Sequence, residues 1–399
     1  MATALTSDDL RSLVDARFDD AVDVRRDLHA HPELSHREQR TTALVRARLR
    51  ALGLAELPCP TPTGAVFRLD GGRPGQRVLL RADLDALPLV EEVDVPWRST
   101  VDGAMHACGH DGHTAILLGV AAALAARAES LPGSYVLLFQ PAEEDLAGNG
   151  GASQMLAGGV LDSAPADRMV SLHLASLLAT GLVGARAGIA MSQAQFLRIL
   201  LSGAGGHGSM AGAAGNVVLA VSALSSGLPE VAAGLAYEEV QCACSAGVIR
   251  AGAASNVVPR HAMLEGTLRT FLPEQYDTAR DRLHALATRV AADFDVNIET
   301  DLPTAVPPVV NDAAAVAAWR AATADVLGAD RVLELPPMPP SDDVSLFLER
   351  IPGVHFFVGA MPGPRVPPMH HAPDFTIDEE SLRVGMLAMA ATAVRLAEA

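Results

Sequence analysis

Apolar residues recur at helical spacing from Ser7 to Leu28, behind a Ser-Asp-Asp start able to cap a helix. A second helical stretch runs from Ser35 to Leu52. It opens on Ser35-x-x-Glu38, a capping-box pattern, and stops at Gly53. The Pro-broken segment HAHPELSH between them reads as a loop. Two short strands are expected next, Ala65–Leu69 and Arg77–Ala82, the latter leading into DLDALP. The Ala- and Leu-rich stretch His113–Ala126 reads as a buried helix. Ser134–Phe139 is apolar throughout, as a central strand covered on both faces would be, and runs into QPAEED. Arg168–Leu172 is another apolar strand, ending at His173. Strands alternating with helices predict an α/β domain with a mostly parallel sheet.

The pattern changes near Gly188. From there the expected order is strand Phe196–Leu201, helix Asn216–Ala233, strands Gln241–Arg250 and Ala262–Phe271, helix Pro273–Phe294 and strand Asp295–Thr300. That order, βαββαβ, is ferredoxin-like and fits a small independent domain inserted in the first. After Pro303, Pro307 and Pro308 the first pattern resumes, with helices Asp312–Leu327 and Val344–Arg350 and strand Val354–Val358. The Pro-rich loop PGPRVPPMHHAPDF and an Ala-rich helix close the chain.

Composition narrows the function more than the fold. Of 399 residues, 49% are hydrophobic and 19% charged, which marks a folded chain, and with only 4% aromatics the core must be built mainly from Ala, Val and Leu. A net charge of −17 without a basic stripe argues against nucleic acid as a partner. No run reaches the roughly 18–20 apolar residues of a membrane span, and the acidic N-terminal stretch is unlike a signal peptide. Cys59, Cys108, Cys242 and Cys244 lack secreted-scaffold spacing, so a reduced, cytoplasmic protein is expected. Cys242 and Cys244 alternate on one strand and read as packing.

In open α/β sheets, sites form beyond the carboxyl ends of the strands. Four expected strands lead to metal-binding side chains: to Asp83 and Asp85, to Glu143 and Glu144, to His173, and through a loop to His370 and His371. Just after the first lies MHACGHDGH, residues 105–113, where Gly109 and Gly112 let the backbone bend around His106, Cys108, His110, Asp111 and His113. Singly, a pair of glutamates is usually solvated and a strand-end histidine usually structural. Their joint arrival at equivalent strand ends points to a metal site. Cys108, His110, Glu144, His173 and one of His370 and His371 make five donors, which suits two ions about 3.5–4 Å apart sharing a water. Glu143, left free of metal, can take a proton from that water and return it to a leaving amine.

The segments RADLDALP, MHACGHDGHT, QPAEE, GGHGS and HAPDFTIDEE, with the strand-end His173, resemble the metal-dependent amidohydrolase/peptidase family of aminoacylases, hippurate hydrolases and auxin–amino-acid conjugate hydrolases. The match runs in the same order over nearly the whole chain. The resemblance implies a dimetal catalytic domain at residues 1–187 and 302–399, a lid or dimerisation domain at 188–301, and a homodimer formed through the latter. It implies hydrolysis of the amide bond of N-acyl-L-amino acids, of acetyl, benzoyl or indole-acetyl type, with two divalent ions (Zn, Mn, Co or Ni) per subunit. Residue by residue, it implies Cys108 as the bridging donor, His110, Glu144 and His173 as terminal donors, and His371 rather than His370 as the fifth. Glu143 is then the general base, with Asp111 and Asp83 supporting the donors from behind. His207 of GGHGS is implied to stabilise the oxyanion, and Asn256 and Arg269 to contact the substrate carboxylate.

The chain departs from the family pattern at Met210–Ala211, where Pro is usual, in LASLLATGLVG, which lacks the usual Trp and Pro, and at SDDV, where Glu-Asp-Phe is common. The preferred acyl group and side chain therefore stay open. Dipeptidases, carboxypeptidases and N-acetyl-diaminopimelate-type deacetylases share the motifs. A non-catalytic binding relative would have lost donors or the base, and here every matched position is filled.

Overall fold

The computed structural model describes residues 5–145, 149–210, 212, 214–303, 305–363 and 368–398. Ala211 and residues 364–367 of the Pro-rich loop lie outside them. The chain forms two compact units. The first comprises Met1–Ala190, Val310–Leu335 and Asp343–Ala399; the second comprises Met191–Val309 and Pro336–Asp342.

The first unit is built on one mixed sheet. Its strands are β1 (Ala55–Leu57), β2 (Ala65–Asp70), β3 (Arg73–Asp83), β4 (Pro132–Gln140), β5 (Arg168–Ala179), β6 (Val183–Ala185), β7 (Val332–Glu334) and β8 (Gly353–Met361). The spatial order is β1-β2-β4-β3-β5-β8-β6-β7. The central four, β4, β3, β5 and β8, run parallel, so their carboxyl ends open on one edge. These strands are apolar on both faces and buried on both: Val136, Leu137, Leu138 and Phe139 are all at or near zero exposure. Helices α1 (Ser7–Asp15), α2 (Phe18–Ala30), α3 (Gln39–Ala51), α4 (His110–Ala125), α5 (Ala313–Leu327) and α6 (Glu380–Glu398) accompany the sheet, and α6 packs on α4, α5, β3 and β5. The core is aliphatic, with Trp319 as its largest side chain, 5.7 Å from Phe356 between ring centroids.

Several boundaries differ from the sequence reading for identifiable reasons. The helix expected over Ser7–Leu28 is two helices; a turn at Ala16–Arg17 lets Leu10 and Val14 of α1 and Ala21, Val24 and Leu28 of α2 enter the same core. Helix α3 begins at Gln39 instead of Ser35, because Ser35 and Glu38 spend their side chains elsewhere and form no capping box. Gly109, at φ +93°, turns the chain so that α4 starts at His110. Strand β5 continues past His173 to Ala179, held by parallel pairing with β8.

In the second unit, four strands lie in the order Ala243–Ala251, His261–Thr270, Gln193–Ser202, Asn297–Asp301, all antiparallel. Helices Val217–Ala232 and Pro273–Phe294 pack together and against this sheet. Period-two alternation buries Leu197, Ile199 and Leu201. Cys242 and Cys244 are buried, and all four cysteines are free thiols.

Gly359 of β8 allows a close backbone approach to β5: a Cβ there would lie 1.9 Å from the Ala179 carbonyl oxygen. Gly359→Ala must therefore prise β8 from the strand that carries His173. We expect a loss of about 1–3 kcal/mol or more, read as a lower denaturation midpoint; an unchanged midpoint would contradict this packing.

Candidate metal centre

The parallel strand ends bring the donor side chains together. Strand β3 ends at Asp83, with Asp85 two residues on; β4 delivers Glu143 and Glu144; the start of α4 delivers Cys108 and His110; β5 carries His173; and the loop after β8 carries His370 and His371. The donor atoms of Cys108, His110 and Glu144 lie within 4.8 Å of one another, as do those of Cys108, His173 and His370, so the two groups share the thiol. Cys108 Sγ is 3.4 Å from His173 Nε2. Glu143 Oε2 is 3.9 Å from His110 Nε2.

Hydrogen bonds fix which imidazole nitrogen faces the centre. His110 donates from Nδ1 to the Asp85 carbonyl (2.9 Å), and His173 donates from Nδ1 to the Leu174 carbonyl (2.7 Å). Both Nε2 atoms are thereby turned inward. His113 is used differently. Its Nε2 accepts from the Leu174 N–H (2.9 Å), so its Nδ1 donates to Asp83 (2.7 Å), and the ring ties β3 to β5.

The two adjacent histidines divide. His370 is mostly buried, and its Nε2 accepts from the Ser176 N–H at 3.3 Å. His371, half-exposed and at φ +64°, places Nε2 3.1 Å from Glu144 Oε1, while its backbone N–H donates to Ala107. Asp111 goes elsewhere than expected. One residue past His110 it is rotated about 100° around α4, toward α2, where it meets Arg25 Nε and His29 Nδ1, each at 2.8 Å. That pairing holds its carboxyl far below the usual range against the opposing effect of burial.

Beneath the donors, Asp83 and Asp343 flank Arg81, at 2.8 and 3.0 Å, and Gln140 bridges Arg81 and Asp343. Asp85 is fully buried and accepts from the backbone N–H groups of Glu143 and Glu144, each at 3.0 Å, and from Ser35 Oγ at 2.7 Å. Glu38 accepts from the Ala142 N–H at 2.8 Å. Three consecutive N–H groups that belong to neither strand nor helix are thus satisfied by two buried carboxylates. Each would otherwise cost about 1–3 kcal/mol. Sequence reading set Asp85 with Asp83 among the metal-type side chains at strand ends and took Glu38 for a helix cap; only the fold aims them at this loop.

Charge is concentrated here. Asp83, Asp85, Glu143 and Glu144 converge with few cations to oppose them. Burial lowers the proton affinity of His110, but Asp83, Asp85 and Glu144 outweigh it and raise its pKa to about 10. Burial, then Glu144, Glu143 and Asp83, push the Cys108 thiol well above its usual value. His110 Nε2 and Glu144 Oε1 are buried without a hydrogen-bond partner. A soft thiolate, inward imidazole nitrogens and buried carboxylates suit borderline divalent ions. Donor chemistry and orphaned atoms together fit divalent metal ions held by these side chains.

Within the second unit, His207 and Asn256 are neighbours. His207 pairs with Val257 in a two-stranded ribbon, and the Gly208 N–H donates to the Asn256 carbonyl at 2.8 Å. Ser209 bonds His207 Nδ1 at 2.8 Å. Arg269, on strand His261–Thr270, bonds Ser341.

An α/β unit with thiol, imidazole and carboxylate donors at the parallel strand ends is the architecture of a metallohydrolase. Residues 79–395 match Peptidase family M20/M25/M40, and the chain belongs to that family. It is 35% identical to IAA-amino acid hydrolase ILR1-like 4 of Arabidopsis thaliana over 384 residues, covering 95% of this chain and 86% of that protein. It is 32% identical to thermostable carboxypeptidase 2 of Saccharolobus solfataricus over 381 residues, with 94% of each covered. The crystal structure of a dinuclear metal-binding peptidase of the M20 family from Bacillus subtilis superimposes with a TM-score of 0.77 at 32% identity, covering 95% of this chain and 98% of that one. The chain is accordingly an enzyme, a hydrolase of the amidohydrolase and peptidase class. Among the described residues, no helix is long and apolar enough to cross a membrane.

With the His110 pKa raised to about 10 and the Cys108 thiol pushed above its usual range, a divalent ion held by these two side chains would displace their protons. Uptake should strengthen as pH rises toward about 10 and weaken on acidification. Calorimetric titration of metal-free protein with Zn²⁺ or Mn²⁺ in buffers of different ionisation enthalpy should show release of about one to two protons. Binding with no net proton release would contradict this electrostatic account.

Proposed function

We propose that this enzyme hydrolyses the amide bond of N-acyl-L-amino acids at a centre holding two divalent ions, with Cys108, His110, Glu144, His173 and His371 as donors. The observation that carries the reading is the convergence of Cys108, His110 and Glu144 around unsatisfied buried donor atoms, with Glu143 alongside. When bound, the ions would polarise the scissile carbonyl and acidify the attacking water.

The remaining chemistry belongs to the chain. Glu143 accepts a proton as the water oxygen attacks the carbonyl carbon, and delivers it to the amine nitrogen as the C–N bond breaks. A carboxylic acid and a free amino acid leave. His207 stabilises the developing oxyanion. Arg269 and Asn256 hold the substrate carboxylate, a task to which the planar guanidinium fork is suited. The second unit serves as lid and dimerisation domain. Supporting a homodimer, its edge strand Ala243–Ala251 exposes Val248 and Ile249, and the helix packed on that strand exposes Val218 and Leu219. Similarity to the Saccharolobus carboxypeptidase favours peptide cleavage as the second reading.

Metal-reconstituted protein assayed against acetyl-, benzoyl- and indole-acetyl-amino acids and dipeptides separates the two by relative kcat/KM; failure to release amine from any acyl-amino acid would sink the first. Glu143→Ala should retain metal and lose about 10²–10⁴-fold in kcat. Unchanged turnover would remove Glu143 as the proton carrier. His371→Ala should reduce bound metal, and an unaltered metal content would exclude it as a donor.

A further inference from the structure

We propose that Glu38 is a positioning residue that sets the aim of Glu143 through the backbone of Ala142. The inference rests on the reading of Glu143 as proton carrier.

Ala142 is fully buried and sits at φ +49°, a left-handed conformation that alanine keeps only where its surroundings impose it. Both of its backbone groups are held. Its N–H donates to Glu38 Oε1 at 2.8 Å, and its carbonyl accepts from the Gly151 N–H at 2.9 Å. Glu143 follows directly, so the φ and ψ of Ala142 decide which way the Glu143 side chain leaves the chain. A return to right-handed or extended backbone at Ala142 would swing that carboxylate away from His110.

Glu38 is itself fixed on every side. It is fully buried. Oε1 also accepts from the His36 N–H at 2.9 Å, and Oε2 accepts from Thr63 Oγ1 at 2.7 Å. It therefore joins the start of α3, the residue leading to β2 and the exit from β4. The same short segment reaches the loop by a second route, since Ser35 Oγ donates to Asp85, which takes the N–H groups of Glu143 and Glu144. Glu38 is in neither donor group of the centre, and its direct link to the segment carrying Glu143 is the hydrogen bond from Ala142.

The test uses full-length, metal-loaded protein and the best acyl-amino-acid substrate from the panel. Glu38→Ala should bind the same metal content and keep KM nearly unchanged while kcat falls about 10–100-fold, the scale of a roughly 1 Å misplacement. Glu38→Gln keeps an acceptor for the Ala142 N–H and should restore most of kcat. In a double-mutant cycle, adding Glu38→Ala to Glu143→Ala should cost little further kcat, because nothing remains to be aimed. Should Glu38→Ala fail to fold, the cycle is run with Glu38→Asp, which keeps the buried charge but lacks the span to Ala142 and Thr63 together.

Wild-type kcat in the Glu38 variant, or an equal loss with and without Glu143, would overturn the proposal while leaving the Glu143 reading intact. Unchanged turnover in Glu143→Ala alone would overturn both.

Discussion

Four carboxylates, those of Asp83, Asp85, Glu143 and Glu144, are drawn together at the buried carboxyl ends of β3 and β4, and the rest of the first unit is arranged around that charge. A buried carboxylate is costly unless it is paired or richly hydrogen-bonded. Each one here has a distinct answer. Asp83 takes Arg81 and His113. Asp85 takes two backbone N–H groups and the Ser35 hydroxyl. Glu144 keeps one oxygen without a hydrogen bond and facing His371, and Glu143 stands beside His110. The two best-satisfied groups form the foundation and the two nearest the thiol form the working face.

The same charge explains why the histidines have unlike roles. His110 lies among the carboxylates and is driven to hold a proton, whereas His173 is buried near His113 and His370 and is driven to stay neutral. His113 is committed at both nitrogens and serves as a strut between β3 and β5. His110 and His173 turn Nε2 to the centre because each commits Nδ1 to a backbone carbonyl, whereas His113 is held at both nitrogens.

Much of this was legible in the chain. Largely apolar runs leading to Asp83, Glu143 and His173 marked the strands that converge on the site, because a strand buried on both faces is made mostly of apolar residues. The ferredoxin-like order of the second unit followed from alternation and helix length. Less legible were short edge strands such as β1 and β7, three residues each, which carry too little pattern to be seen. The break at Ala16–Arg17 was also hidden, since helical spacing continues across it and only the shared core requires the bend.

The sequence by itself determined which chemical groups could meet: a thiol, several imidazoles and paired glutamates, each placed at a strand end or beside one. Those facts follow from local periodicity and residue type. Tertiary structure decided what each group does when it arrives. It turned Asp111 from the donors to Arg25 and His29, and it took the apparent helix cap Ser35-x-x-Glu38 and spent it on Asp85 and Ala142. Such assignments depend on which buried N–H groups lack a partner once the strands have paired, and no local pattern in the chain records that.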